Sequence, residues 1–168
     1  MPGAVRVLWT TRDGADRRTA AARLVRDATG RTLRHGPCPR CGGDHGRPRL
    51  EGGGSVSLAY AGDLVVTALA EHGDIGVDVE QGAASAPARL DRLAPGSMLR
   101  DWTRFEAATK AVGADLRDGI QLPVVIEDED WVAVVAGRVV HGREVDAPAG
   151  FVISVARAGA AEPGRSTS

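Results

Sequence analysis

Lysine is nearly absent from this chain: a single Lys110 stands against twenty arginines. A coding preference that strong turns merely solvated cations into arginine, so the surviving ammonium points to a place where a compact point charge is wanted. Aromatic residues are also scarce, at 4%. Basic residues that are not interleaved with stacking side chains argue against nucleic acid as a partner. Cysteine occurs only at Cys38 and Cys41, which leaves no disulfide framework and suits free thiols in a reducing compartment. No apolar run reaches the length of a membrane span, and the first residues lack the basic-then-apolar pattern of a secretory signal. The expectation is a cytoplasmic protein without membrane association.

What remains is the composition of an ordinary globular protein, with 43% hydrophobic and 26% charged residues. A length of 168 residues buries one good core, or two small halves packed together, but not two independent domains. The net charge of -1 conceals an asymmetry. Residues 1–50 carry eleven Arg against four Asp, a net +7, whereas residues 51–168 carry ten cations against eighteen carboxylates, a net -8. A basic front half can meet a phosphate-rich ligand or an acidic protein, and an acidic back half can hold a metal.

Along the chain, Val5 to Trp9 reads as a strand and Asp16 as the cap of a helix through about Ala28, with Gly30 as its stop. Arg17, Arg18, Arg23 and Arg26 decorate that helix, as a solvated face or as a contact surface for an acidic partner. Residues 31–54 show little periodicity and read as loop. The loop holds Cys38, Cys41 and His45, three possible zinc ligands where a structural site normally takes four, so free thiols are the preferred reading. It also holds His45-Gly46-Arg47-Pro48, in which Gly46 lets the backbone approach a ligand and Arg47 is well placed for a phosphate. Ser57 to Leu58 and Leu64 to Ala70 predict two strands, and a His72-Gly73-Asp74 turn leads on, as a hairpin, into Ile75 to Glu80.

In that last strand Asp78 and Glu80 share one face, Val77 and Val79 the other. The valines can anchor in a core while the carboxylates converge, a like-charge pair that a hard cation such as magnesium relieves. A small helix near Ala88 to Leu93 follows, and Ser97 then caps a helix to Val112 that stops at Gly113. Met98, Trp102, Phe105, Thr109 and Val112 form its apolar stripe, with Glu106 and Lys110 together on the border. There Glu106 could complete a cation site begun by Asp78 and Glu80, with Lys110 facing the same anion. Val124 to Ile126, Trp131 to Ala136, Arg138 to Val140 and Phe151 to Ala156 supply the remaining strands, and residues 159–168 read as a loose tail. Helix, loop and hairpin occur twice, over about 15–70 and 97–156, which hints at two similar α+β halves.

Three ordered motifs now stand out: Gly46-Arg47-Pro48, Gly76-Val77-Asp78-Val79-Glu80, and Trp102-Thr103-Arg104-Phe105-Glu106-Ala107-Ala108-Thr109-Lys110. With the closing Gly150-Phe151-Val152 they resemble the 4'-phosphopantetheinyl transferase superfamily, in its longer single-chain form. The likeness covers about Arg40 to Ala156, and the second and third motifs together are specific. It implies an α+β, pseudo-twofold fold in one transferase unit over residues 1–158, with halves at about 1–74 and 75–158. It also implies a monomer that transfers 4'-phosphopantetheine from coenzyme A to a serine of an acidic acyl or peptidyl carrier protein, releasing adenosine 3',5'-bisphosphate. By that resemblance Asp78, Glu80 and Glu106 would hold magnesium and Lys110 and Arg47 would bind phosphates. Glu106 or a metal-bound water would take the serine proton.

Two positions depart from the family pattern. Lysine usually precedes the glutamate of the third motif, where this chain has Phe105, which the helical wheel assigns to the core. Ser-His is usual where Ala59-Tyr60 stand; Tyr60 can donate a hydrogen bond to the coenzyme but cannot be cationic. Weaker coenzyme A binding is the modest expectation, and a relative that binds coenzyme A or a carrier protein without transfer is the alternative. An unrelated α+β binding module with a zinc-tied loop at Cys38, Cys41 and His45 is the third reading.

Overall fold

The computed structural model describes residues 4–82, 98–114, 124–127 and 130–159, with 124–127 described by the backbone alone. Strand β1 (Arg6–Thr11) leads into helix α1 (Arg17–Thr29). The helix begins where the sequence places it because the Asp16 carboxylate accepts the N–H groups of Arg18 and Thr19, each at 3.0 Å. It stops at Gly30, whose φ of 68° suits a residue without Cβ. Residues 31–54 are more than loop: β2 (Leu33–His35) and β3 (Pro48–Leu50) pair antiparallel. Strands of three residues are too short to show a period, so the sequence could not announce them.

Next, β4 (Ser55–Ala61) and β5 (Leu64–Ala70) form the expected hairpin and with β1 make a three-stranded antiparallel sheet, ordered β1-β5-β4. The acidic strand β6 (Ile75–Gln81) does not extend that hairpin, as the sequence had suggested. It lies instead in a second, five-stranded sheet with β7 (Val124–Glu127), β8 (Asp130–Val135), β9 (Arg138–Val145) and β10 (Phe151–Ala158), ordered β6-β10-β9-β8-β7. The valines supply the reason. Val77 and Val79 join Ile153 and Val155 of β10 and Ala59, Val66 and Ala68 of the first sheet in one core between the sheets. A strand paired in the plane of the first sheet could not face it in this way.

Helix α2 (Leu99–Val112) covers the far side of the second sheet, where Ala107, Ala108 and Ala111 pack on Trp131, Ala133, Val135 and Val140. Helix α1 covers the first sheet through Val25 against Val56 and Leu69, and through Ala20 and Ala21 against Val65. The layers therefore run helix, sheet, sheet, helix, a mixed α+β architecture with antiparallel strands. In each sheet the strand before the helix pairs antiparallel with the last strand of its run, β1 with β5 and β6 with β10. Where the sheets meet, the Ser57 hydroxyl of β4 accepts the N–H of Val77 in β6 at 3.0 Å.

Helix α2 differs in detail from the expectation. Met98, not Ser97, is its N-cap, and the Met98 N–H donates to the Asp101 carboxylate at 2.8 Å. Its apolar face is wider than one stripe: Met98 is 48% exposed, while Thr103, Arg104, Ala107 and Ala108 are buried with Trp102 and Phe105. Ser97, the expected helix over 88–93 and residues 160–168 of the tail lie outside the described residues. Among the described residues no helix is long and apolar enough to cross a membrane.

Candidate functional site

The site begins with a missing side chain. A Cβ on Gly76 would overlap the Ala107 carbonyl oxygen and the Ala111 nitrogen, so α2 can lie directly on β6 only because position 76 is glycine. At that approach the β6 residues that alternate towards the helix meet its side chains. Lys110 Nζ donates to Asp78 Oδ1 at 2.6 Å and to the Val77 carbonyl at 3.1 Å. One helical turn either side of the half-buried Glu106 stand Lys110 and Trp102, and Trp102 Nε1 donates to Glu80 Oε1 at 3.1 Å.

Asp78 is 6% exposed, and its Oδ2 is a buried atom with no hydrogen-bond partner among the described residues. Burial pushes this carboxyl up to about 7; the Lys110 ammonium opposes the shift, and the negative charges of Glu106 and Glu80 reinforce it. Glu80 and Glu106, the other two acids named from the sequence, therefore act on Asp78. The donor oxygens of the three do not all lie within 4.8 Å of one another. Among the described residues, the group of His, Cys, Asp or Glu donors lying within 4.8 Å of one another is Cys38, Cys41 and His45.

Lys110 also lines a groove of about 600 Å³, together with Arg17, Arg18, His45, Arg47 and Tyr60. The Arg17 guanidinium stands 5.8 Å from the Tyr60 ring centroid, a cation–π distance. Burial raises the pKa of the Tyr60 hydroxyl, which keeps it a neutral donor. Arg47 Nη2 donates to the Lys110 carbonyl at 3.4 Å, at the C-terminal end of α2 where carbonyl dipoles favour a cation. Arg47, Tyr60 and Lys110, the three residues expected to contact the coenzyme, thus share one groove, and Lys110 joins it to Asp78.

Other expectations change. Gly46 lines the groove and also serves the chain: a Cβ there would overlap the Gly36 and Pro37 carbonyl oxygens. Arg17 and Arg18, read as solvated or as a protein-contact face, line the groove. Phe105, by contrast, is core as the helical wheel expects, 1% exposed, with its ring centroid 5.9 Å from that of Trp102.

Three features went unseen in the sequence. Trp102 holds Glu80, and its spacing of one turn from Glu106 could have flagged it. Ser154 of β10 lies opposite Asp78 in β6 and Glu144 in β9, and its hydroxyl is buried with no hydrogen-bond partner among the described residues. Arg104, 3% exposed, is ion-paired to that Glu144. A polar row thus crosses three strands beneath α2; it follows from strand register, which the sequence does not display. A scan of protein-family models and a search of curated proteins find no match to this chain.

Proposed function

We propose that this chain is a magnesium-dependent 4'-phosphopantetheinyl transferase, moving the phosphopantetheine arm of coenzyme A to a serine of an acidic acyl or peptidyl carrier protein. The observation that carries the reading is the double position of Lys110, which lines the cationic groove and rests on the buried Asp78. A polyphosphate in the groove would then reach the acidic cluster without leaving the lysine. The matching arrangement of β1, α1 and β5 with β6, α2 and β10 supports the superfamily's two-half, pseudo-twofold fold, with halves at about 1–74 and 75–158.

Asp78, Glu80 and Glu106 suit magnesium on two grounds. Carboxylate oxygens are the hard donors that this ion takes. The orphaned Asp78 Oδ2, in a setting where neighbouring acids disfavour its charge, is an oxygen that gains from a divalent cation. Bound there, the ion would neutralise charge on the pyrophosphate of coenzyme A.

The chain's own residues would divide the remaining work. Lys110 and Arg47 would bind phosphate oxygens, and Arg17, Arg18 and Tyr60 the rest of the coenzyme along the groove. Trp102 would keep the Glu80 carboxylate turned towards the helix. Glu106 would accept the proton of the incoming serine hydroxyl as the oxygen attacks phosphorus and adenosine 3',5'-bisphosphate departs. Phe105 offers no phosphate contact from the core, so affinity for the coenzyme rests on the arginines and Lys110. The basic first 50 residues suit an acidic carrier.

Incubation with coenzyme A, magnesium and a panel of acyl and peptidyl carrier proteins tests this by mass spectrometry. The expected result is a carrier heavier by one phosphopantetheine arm, dependent on magnesium. Coenzyme A binding by calorimetry without any transfer would identify a non-transferring relative, and no binding at all would overturn the reading.

A further inference from the structure

Leu33 and Leu50 anchor the ladder of β2 and β3 in the core under α1. The loop tip beyond it, residues 36–47, contains no buried residue and rests chiefly on backbone hydrogen bonds. Yet the loop carries Arg47 to the end of α2 and His45 into the groove wall. At its tip Cys38, Cys41 and His45 offer donor atoms that all lie within 4.8 Å of one another, with Cys41 Sγ 3.4 Å from His45 Nε2.

The spacing can be compared with metal geometry. Zinc–sulfur and zinc–imidazole bonds of about 2.3 and 2.0–2.1 Å at tetrahedral angles set the sulfur–nitrogen edge near 3.5 Å. The 3.4 Å between Cys41 Sγ and His45 Nε2 matches that edge. The backbone is shaped for it as well. Cys38 N–H donates to Gly43 O and His45 N–H to the same oxygen, both at 2.8 Å, while Gly42 N–H donates to Cys38 O at 2.7 Å. Gly42 turns the chain at φ 73°, and a Cβ at Gly43 would stand 3.1 Å from His45 Nδ1 and 3.5 Å from Cys41 Sγ. The two glycines therefore fold the three donors round a small volume. The N–H groups of Arg40 and Cys41 bond to the Cys38 sulfur and fix its place in the turn.

We propose that Cys38, Cys41 and His45 bind one zinc ion, with water in the fourth position, and that this ion fastens the loop that presents Arg47 to the groove. Two thiolates and an imidazole select zinc over magnesium, so the site is chemically separate from the carboxylates of β6 and α2. Zinc binding here is independent of any transfer activity. Three exposed or half-exposed ligands on a loop tip without a buried residue make the ion a clamp on local unfolding.

The test uses the full chain, purified without a histidine tag. Mass spectrometry of the eluted metal should find about one zinc per chain. Cobalt added after chelation should give the near-ultraviolet charge-transfer band of thiolate ligands in wild type and lose it in Cys41→Ser. Tryptic cleavage after Arg40 and Arg49 should slow on adding zinc, by about 100-fold when zinc is at about 100 times its Kd. His45→Ala should weaken zinc by more than the roughly 10–100-fold that loss of an outer partner costs, and it keeps both thiols as a folding control. An absent cobalt band in wild type, a Cys38–Cys41 disulfide in the purified chain, or equal cleavage with and without zinc would each overturn the proposal.

Discussion

The Lys110 ammonium lies 2.6 Å from one oxygen of Asp78, and the other oxygen of the same buried carboxylate has no hydrogen-bond partner among the described residues. An ion pair of this kind is easily taken for a stabilising bond, but removal from water weighs more here than the lysine. Between the ordinary value of 3.8 and about 7 the folded chain holds a proton on Asp78 that the unfolded chain has released. Folding therefore takes up a proton in that window, and stability falls as pH rises through it and stays lowered above. With each pKa unit worth about 1.4 kcal/mol, the loss is on the order of a few kcal/mol.

Asp78→Asn removes the titrating group. Urea melts should show that the variant matches or exceeds wild type at about pH 8 and loses its relative advantage at about pH 5, with a flatter pH dependence. A variant that is most destabilised at the higher pH would show instead that the attraction of Lys110 dominates. Magnesium favours the carboxylate, so it should restore wild-type stability at about pH 8, do little at about pH 5, and leave the Asn variant unchanged.

Gly76→Ala should be far more damaging than its size suggests. The new methyl would meet backbone atoms of Ala107 and Ala111, which cannot swing aside as a flexible side chain can. Overpacking costs about 1–3 kcal/mol where neighbours adjust, and the upper end or beyond is expected here. Chemical denaturation measures the loss. The retained fold should also show weakened coenzyme A binding, because Lys110 moves with the helix.

Trp102→Phe keeps most of the packing and deletes the hydrogen bond to Glu80. Outer-shell partners of a metal ligand are typically worth about 10–100-fold in affinity. Titrating magnesium against transfer activity should therefore raise the half-saturating concentration about tenfold or more, with less change in the rate at saturation. An equal fall in rate at every magnesium concentration would count against a role for Trp102 in orienting Glu80.

Arg47→Ala should weaken coenzyme A binding more than it weakens the fold. A cation near the last turn of a helix is worth roughly 0.3–1 kcal/mol, so the melting temperature should barely move. Calorimetric affinity for coenzyme A should fall by about 10-fold or more, the value of one charge-assisted phosphate contact. An unchanged affinity would remove Arg47 from the groove's function.

Much of this site could be read before any coordinates. Alternation along Ile75 to Glu80 puts Asp78 and Glu80 on one face and the valines on the other, and the periodicity of α2 sets Glu106 and Lys110 at a border. Both are local properties, fixed by backbone geometry alone. The unread parts depend on distant residues meeting. β6 leaves the hairpin because its valines complete a core with β10 and the first sheet, and Ser154 reaches Asp78 by register between strands on opposite sides of α2 in sequence. The loop at Cys38, Cys41 and His45 is legible as a ligand set, but its closure depends on backbone hydrogen bonds, from Cys38 and His45 N–H to Gly43 O and from Gly46 N–H to Gly36 O, that no pattern of side chains announces. Burial of Arg104 was missed because its partner Glu144 comes from β9.

The core between the sheets has a bearing on how the chain can be divided. Its wall is made half by Ala59, Val66 and Ala68 and half by Val77, Val79, Ile153 and Val155, and Ser57 bonds across the seam to Val77. A break in the exposed turn over 71–73 would strip each piece of the surface that covers its apolar side. Neither fragment should persist in isolation, whereas the two mixed together should reassemble by complementation, so the chain behaves as an obligate pair of partners joined by a tether.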